Sequence, residues 1–80
     1  MKPEVTILKV YEDEITEYDF PIYLTGYDPY TDQKFKGSFV YSNGLLKPIS
    51  YSTTKGEKIS KKFISWANAA ILSFKEEYYK

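Results

Sequence analysis

The sequence predicts an α+β fold: a three- to four-stranded antiparallel sheet, followed by one long C-terminal helix packed on one face, in the order β-β-β-β-α. Three observations predict it. Short β-branched and aromatic runs in the first two thirds of the chain are separated by turn formers. Asn43-Gly44 between two such runs is the strongest short hairpin signal, because both residues tolerate positive φ. After residue 54 the apolar residues recur at helical spacing, without a proline, almost to the end.

Each element follows in order. Residues 5–11 (VTILKVY) have strand composition, and 12–19 (EDEITEYD) break the pattern as an acidic connection. Residues 20–27 alternate, with Phe20, Ile22, Leu24 and Gly26 on one face and Tyr23, Thr25 and Tyr27 on the other. Pro21 lacks an N–H and is expected at a strand start or on an edge. Asp28-Pro29-Tyr30-Thr31-Asp32 is a turn. In 34–41, Phe35, Gly37, Phe39 and Tyr41 share a face opposite Lys34, Lys36, Ser38 and Val40. Residues 45–52 carry Pro48, which points to an edge strand.

Thr54 and Glu57 fit a capping box, so the helix is expected from about 55 to 78, after a sheet over about 4–52. Its core stripe would be Ile59, Phe63, Trp66, Ala67, Ala70, Ile71 and Phe74, extended by Tyr78. That stripe should cover Phe20, Ile22, Leu24, Phe35 and Phe39.

Length and composition narrow the function. Eighty residues make a single domain, 1–80, near the lower end of what folds alone. Aromatic packing must carry its stability, and nine Tyr, five Phe and one Trp supply it. Cysteine and histidine are both absent. This removes disulfides, Cys-based metal sites and the usual zinc ligand and general base, and it suits a reducing cytoplasm. The N-terminal apolar run is too short for a signal peptide and is interrupted by Lys9. No stretch reaches the ~20 apolar residues of a membrane span.

The chain is neutral overall but unevenly charged. Residues 1–32 hold two Lys against eight acids, whereas 33–75 hold eight Lys against Glu57 alone. Such asymmetry predicts either separate acidic and basic surfaces or two halves that attract.

Enzyme activity is not expected, since no nucleophile elbow, phosphate loop or Arg is present. The acidic segment Glu12, Asp13, Glu14, Glu17 and Asp19 could pair carboxylates around a cation, but its spacing fits no Ca²⁺ loop, and neither metal nor cofactor is expected. With Tyr11, Tyr18 and Tyr30 the same segment could meet a basic protein. A second protein-binding surface is the back of the helix, where Ser65, Asn68, Ala69, Leu72 and Tyr79 lie off the core stripe. Asn68 is a mediocre helix former, which suggests a role in hydrogen bonding across a contact, with a homodimer among the candidate partners. For single-stranded nucleic acid, the alternative, Tyr23 and Tyr27 beside Lys34 and Lys36 form a stacking and phosphate-binding face.

The order β-β-β-β-α recurs in small single-strand DNA-binding cofactors and in short proteins of phages and mobile elements, an analogy of fold that does not carry function. The leading expectation is a small cytoplasmic protein-binding module, a regulator or inhibitor that occupies a partner's surface. A phage or mobile-element source would suit its size and composition.

Overall fold

The computed structural model describes residues 2–80. Four strands, β1 (Glu4–Val10), β2 (Asp19–Asp28), β3 (Gln33–Ser42) and β4 (Leu45–Thr53), precede α1 (Lys61–Tyr78), and a 3-10 turn over Glu12–Glu14 joins β1 to β2. The strands form one antiparallel sheet in the order β1-β2-β3-β4. Every neighbour in the sheet is thus a neighbour in the chain, as antiparallel strands with short connections allow.

Alternation sets the two faces of the sheet. Phe20, Ile22, Leu24, Phe35, Phe39, Tyr41 and Leu46 are buried beneath α1 with Phe63, Ala67 and Ile71. The Asn-Gly hairpin forms as its chemistry dictates, with φ of 53° at Asn43 and 81° at Gly44. Each edge strand carries one irregularity: Leu8 drops out of register between Ile7 and Lys9, and Ile49 lies between Pro48 and Ser50. Bulges at the edges discourage further strand pairing.

Pro48 sits on the edge strand, as expected, but Pro21 sits in an inner strand, opposite Val40. Its backbone faces β1 where that strand leaves the ladder. There the Tyr11 N–H donates to the Pro21 carbonyl at 3.0 Å, while the Tyr11 carbonyl accepts from Glu14 N–H at 3.0 Å. The donor that proline lacks has no acceptor to serve at that position.

The helix starts six residues later than its capping-box signal predicts. Ser60, not Thr54, is the N-cap, and its hydroxyl accepts from Phe63 N–H at 3.1 Å. Thr54 instead closes the sheet: its N–H donates to the Lys34 carbonyl and its Oγ1 accepts from Lys34 N–H. Gly56 has φ of 75°, outside the helical region. The Glu57 carbonyl is taken by Gln33 Nε2 at 2.9 Å and by Thr53 Oγ1 at 2.9 Å. Tertiary partners therefore consume the groups a helical first turn would use.

The core stripe is also narrower than expected. Phe63, Ala67 and Ile71 are buried, and Ile59 is buried just ahead of the helix. Ala70 and Tyr78 are half-buried, while Trp66 and Phe74 remain 38% and 37% exposed. One helix cannot cover the full width of a four-stranded sheet. Its Asn68 flank lies toward β4, so Trp66, on the other flank, lies toward the less covered β1 side.

Candidate interaction surfaces

Two anchors set the path of α1. At its start Asp28, fully buried at the end of β2, accepts from Ser60 N–H at 2.8 Å and from Ser60 Oγ at 3.1 Å. Asp28 also accepts from Tyr30 N–H and Thr31 Oγ1, each at 2.9 Å, so one carboxylate joins the strand, the turn and the helix cap. Burial pushes the Asp28 carboxyl up, but the donors from Ser60, Thr31 and Tyr30 outweigh it and hold it below its usual value. At the other end Phe20 meets Phe74, Tyr78 and Tyr79 at ring-centroid distances of 5.4 to 6.3 Å. There Tyr78 OH donates to Glu12 Oε1 at 2.7 Å, which raises the Tyr78 phenol above its usual range. Sequence reasoning missed the Asp28–Ser60 anchor. A serine three residues before Phe63 was the available signal.

With its path set, α1 turns Lys62, Ser65, Ala69, Leu72 and Glu76 to solvent, and Tyr79 follows directly after it. Their alternating spacing of three and four keeps them on one seam. Leu72 is 42% exposed and Tyr79 56%, although the Tyr79 ring also reaches back to Phe20. Four of the five residues expected on this face are there. Asn68 is the exception: it is half-buried, and its Oδ1 accepts from Leu46 N–H at 2.7 Å. A poor helix former is kept at that position because it satisfies a donor on the edge strand.

The acidic segment is built, not loose. Glu12, Asp13 and Glu14 form the 3-10 turn, and Thr16 Oγ1 accepts from Tyr18 N–H and Asp19 N–H at 3.3 and 3.0 Å. Ile15 packs against the core, while Glu12, Asp13, Glu14, Glu17 and Asp19 are all exposed. Through the Tyr78–Glu12 contact this segment shares one end of the molecule with Glu76 and Glu77 of α1. Among the described residues no three potential ligands gather to hold a metal ion.

The open sheet face presents the third set. Tyr27 lies directly opposite Lys34, Thr25 opposite Lys36 and Tyr23 opposite Ser38. Lys36 Nζ sits 6.0 Å from the Tyr23 ring centroid, a cation–π distance. Lys9 is paired with Tyr23, Glu4 with Tyr27 and Lys47 with Val40, and Lys2 borders the hollow beside Tyr27 and Lys34. This face thus collects five Lys against Glu4 and Asp19; the sequence pattern located Lys34 and Lys36 there, with Lys47 as an extension, and register adds Lys9 and Lys2. The Tyr27 hydroxyl is committed to Asp32 Oδ1 at 2.6 Å, a bond that raises the phenol and lowers the carboxyl.

Charge is therefore segregated rather than neutralised between the halves of the chain. Of the two ion pairs among the described residues, only Lys55–Asp32 joins an acid of the first part to a lysine of the second, at 3.4 Å and well exposed. No helix of the described residues is long and apolar enough to cross a membrane. No protein-family model, curated protein or solved structure matches this chain.

Proposed function

We propose that this chain is a small cytoplasmic protein-binding module, a regulator or inhibitor that acts by occupying a partner's surface, and that the outward face of α1 makes the contact. The observation that carries the proposal is Leu72, 42% exposed at the centre of a seam containing Ser65 and Ala69, on an element anchored at both ends. A rigid helix face with a central aliphatic side chain and small neighbours lets another element approach closely, at little ordering cost. Burying the 42% of Leu72 that is still exposed contributes on the order of 1 kcal/mol, which makes it the central apolar contact of the seam.

The test compares capture by the immobilised chain with capture by two variants, Leu72→Glu and Lys34→Glu/Lys36→Glu. Loss of a stoichiometric partner with the first variant only supports the α1 face. Loss with the second only moves the contact to the sheet and sinks the α1 assignment.

A second function, single-stranded nucleic-acid binding, is favoured by one observation: five Lys and two Tyr against two acids, Glu4 and Asp19, on the open sheet face. Its signature is salt dependence, with log K falling about 0.7 per phosphate contacted for each decade of salt. An oligonucleotide that fails to bind at low salt removes this alternative.

A further inference from the structure

Resting on the assignment of α1 as a contact surface, one more step names the occupant: we propose that α1 packs antiparallel against α1 of a second copy of this chain, about a twofold axis between Ala69 and Leu72.

The charges of α1 run against its own dipole. Lys61 and Lys62 stand in the first turn, with Lys58 just ahead of the helix and no acid among them. Glu76 and Glu77 stand in the last turn. A helix carries partial positive charge at its start and negative charge at its end, so both clusters are unfavourable where they lie. The one basic residue of the last turn, Lys75, is turned away, with Nζ 5.9 and 5.5 Å from the Phe20 and Tyr41 ring centroids. Within the chain the offset is partial: the Asp28 carboxylate meets the helix start through Ser60, and Lys80 pairs with Glu77, but Lys61, Lys62 and Glu76 take part in neither of the two ion pairs among the described residues, Lys55–Asp32 and Lys80–Glu77.

An antiparallel copy sets a favourable term between helices against each of these. It brings the basic start of one helix beside the acidic end of the other, twice over, as a twofold axis requires. On the exposed seam the axis sets Ala69 across from Leu72 of the second copy and Ser65 across from Glu76. Lys62 then falls opposite Tyr79, one turn from Glu76. Leu72 thus covers a small residue on each side of the axis, and its exposure ends. A parallel arrangement would stack lysines on lysines and carboxylates on carboxylates. The chain as a whole is neutral, so no net repulsion opposes the encounter. A pair of single helices buries less than the standard interface of about 1,600 Å², and association belongs in the weak, concentration-dependent class.

Sedimentation equilibrium from micromolar to millimolar concentration tests the pairing. The expected mass rises with concentration from 9.4 kDa toward twice that value, and added salt shifts the rise to higher concentration. Leu72→Glu should abolish the rise. Lys62→Glu alone and Glu76→Lys alone should each weaken association about tenfold or more, while the double variant restores it by exchanging the partners' signs. Each single reversal also suits its own helix dipole, so circular dichroism should show helix content and melting temperature maintained or raised, which separates lost pairing from lost folding.

A strictly monomeric wild type at millimolar concentration overturns the proposal, as does a double variant no better than the single ones. If the wild type is monomeric yet Leu72→Glu loses a captured protein, only the self-pairing fails. If it is monomeric and capture ignores Leu72, the α1 assignment fails with it.

Discussion

The two ends of α1 are held by different physics. At its start a fully buried carboxylate, Asp28, takes hydrogen bonds from Ser60, Tyr30 and Thr31. At its end aromatic rings crowd Phe20, and one exposed hydrogen bond joins Tyr78 to Glu12. Hydrogen bonds are directional and costly to orphan when buried, so the first end sets where the helix begins. Ring packing tolerates small shifts, so the second end sets how the helix lies across β2 without fixing its last residue. Order at the first end depends on one group, and at the second on many.

The largest effect should come from Asp28→Ala, which leaves the Ser60, Tyr30 and Thr31 donors without their acceptor. A loss of about 3 kcal/mol is expected, measured by urea denaturation. The same carboxylate makes stability pH-dependent. Its folded-state pKa is lowered, so its contribution is full above the unfolded value of about 3.9 and is lost as pH falls through the lower folded value. The wild type should thus lose stability steadily below about pH 4, and Asp28→Asn should flatten that part of the profile. An unchanged profile would mean that Asp28 is not the group responsible.

The next effect separates the real helix cap from the apparent one. Ser60→Ala should cost about 1 kcal/mol, the usual price of an N-cap. Glu57→Ala should stay within about 0.5 kcal/mol, because its side chain caps nothing here. Equal costs would restore the earlier helix start. The smallest change is expected at the far end: Tyr78→Phe removes only the exposed bond to Glu12 and keeps the ring against Phe20, so thermal melting should shift by no more than about 2 °C.

The surfaces were legible to different degrees for the same reasons. Strand alternation placed Tyr23, Tyr27, Lys34 and Lys36 together, because period-two patterning fixes a face before any register is known. Helical periodicity placed Ser65, Ala69 and Leu72 outward. It failed for Asn68, since a position at the margin of the stripe is assigned by whatever strand edge lies beside it. Exposure of Trp66 and Phe74 was likewise invisible, because it depends on which strands one helix leaves uncovered.

Local chemistry alone therefore determined that four strands precede one helix, that Asn43-Gly44 turns a hairpin, and which residues line the core face of the sheet. These depend on backbone sterics and on periodic burial, which neighbours in sequence supply. Only tertiary structure decided that Thr54 ends β4 instead of starting α1, that Asp28 selects Ser60 as the cap, and that lysines of three strands gather on the open sheet face. Those outcomes rest on competition between partners far apart in the chain, and a backbone donor or carbonyl claimed across the fold is no longer available to its local neighbours.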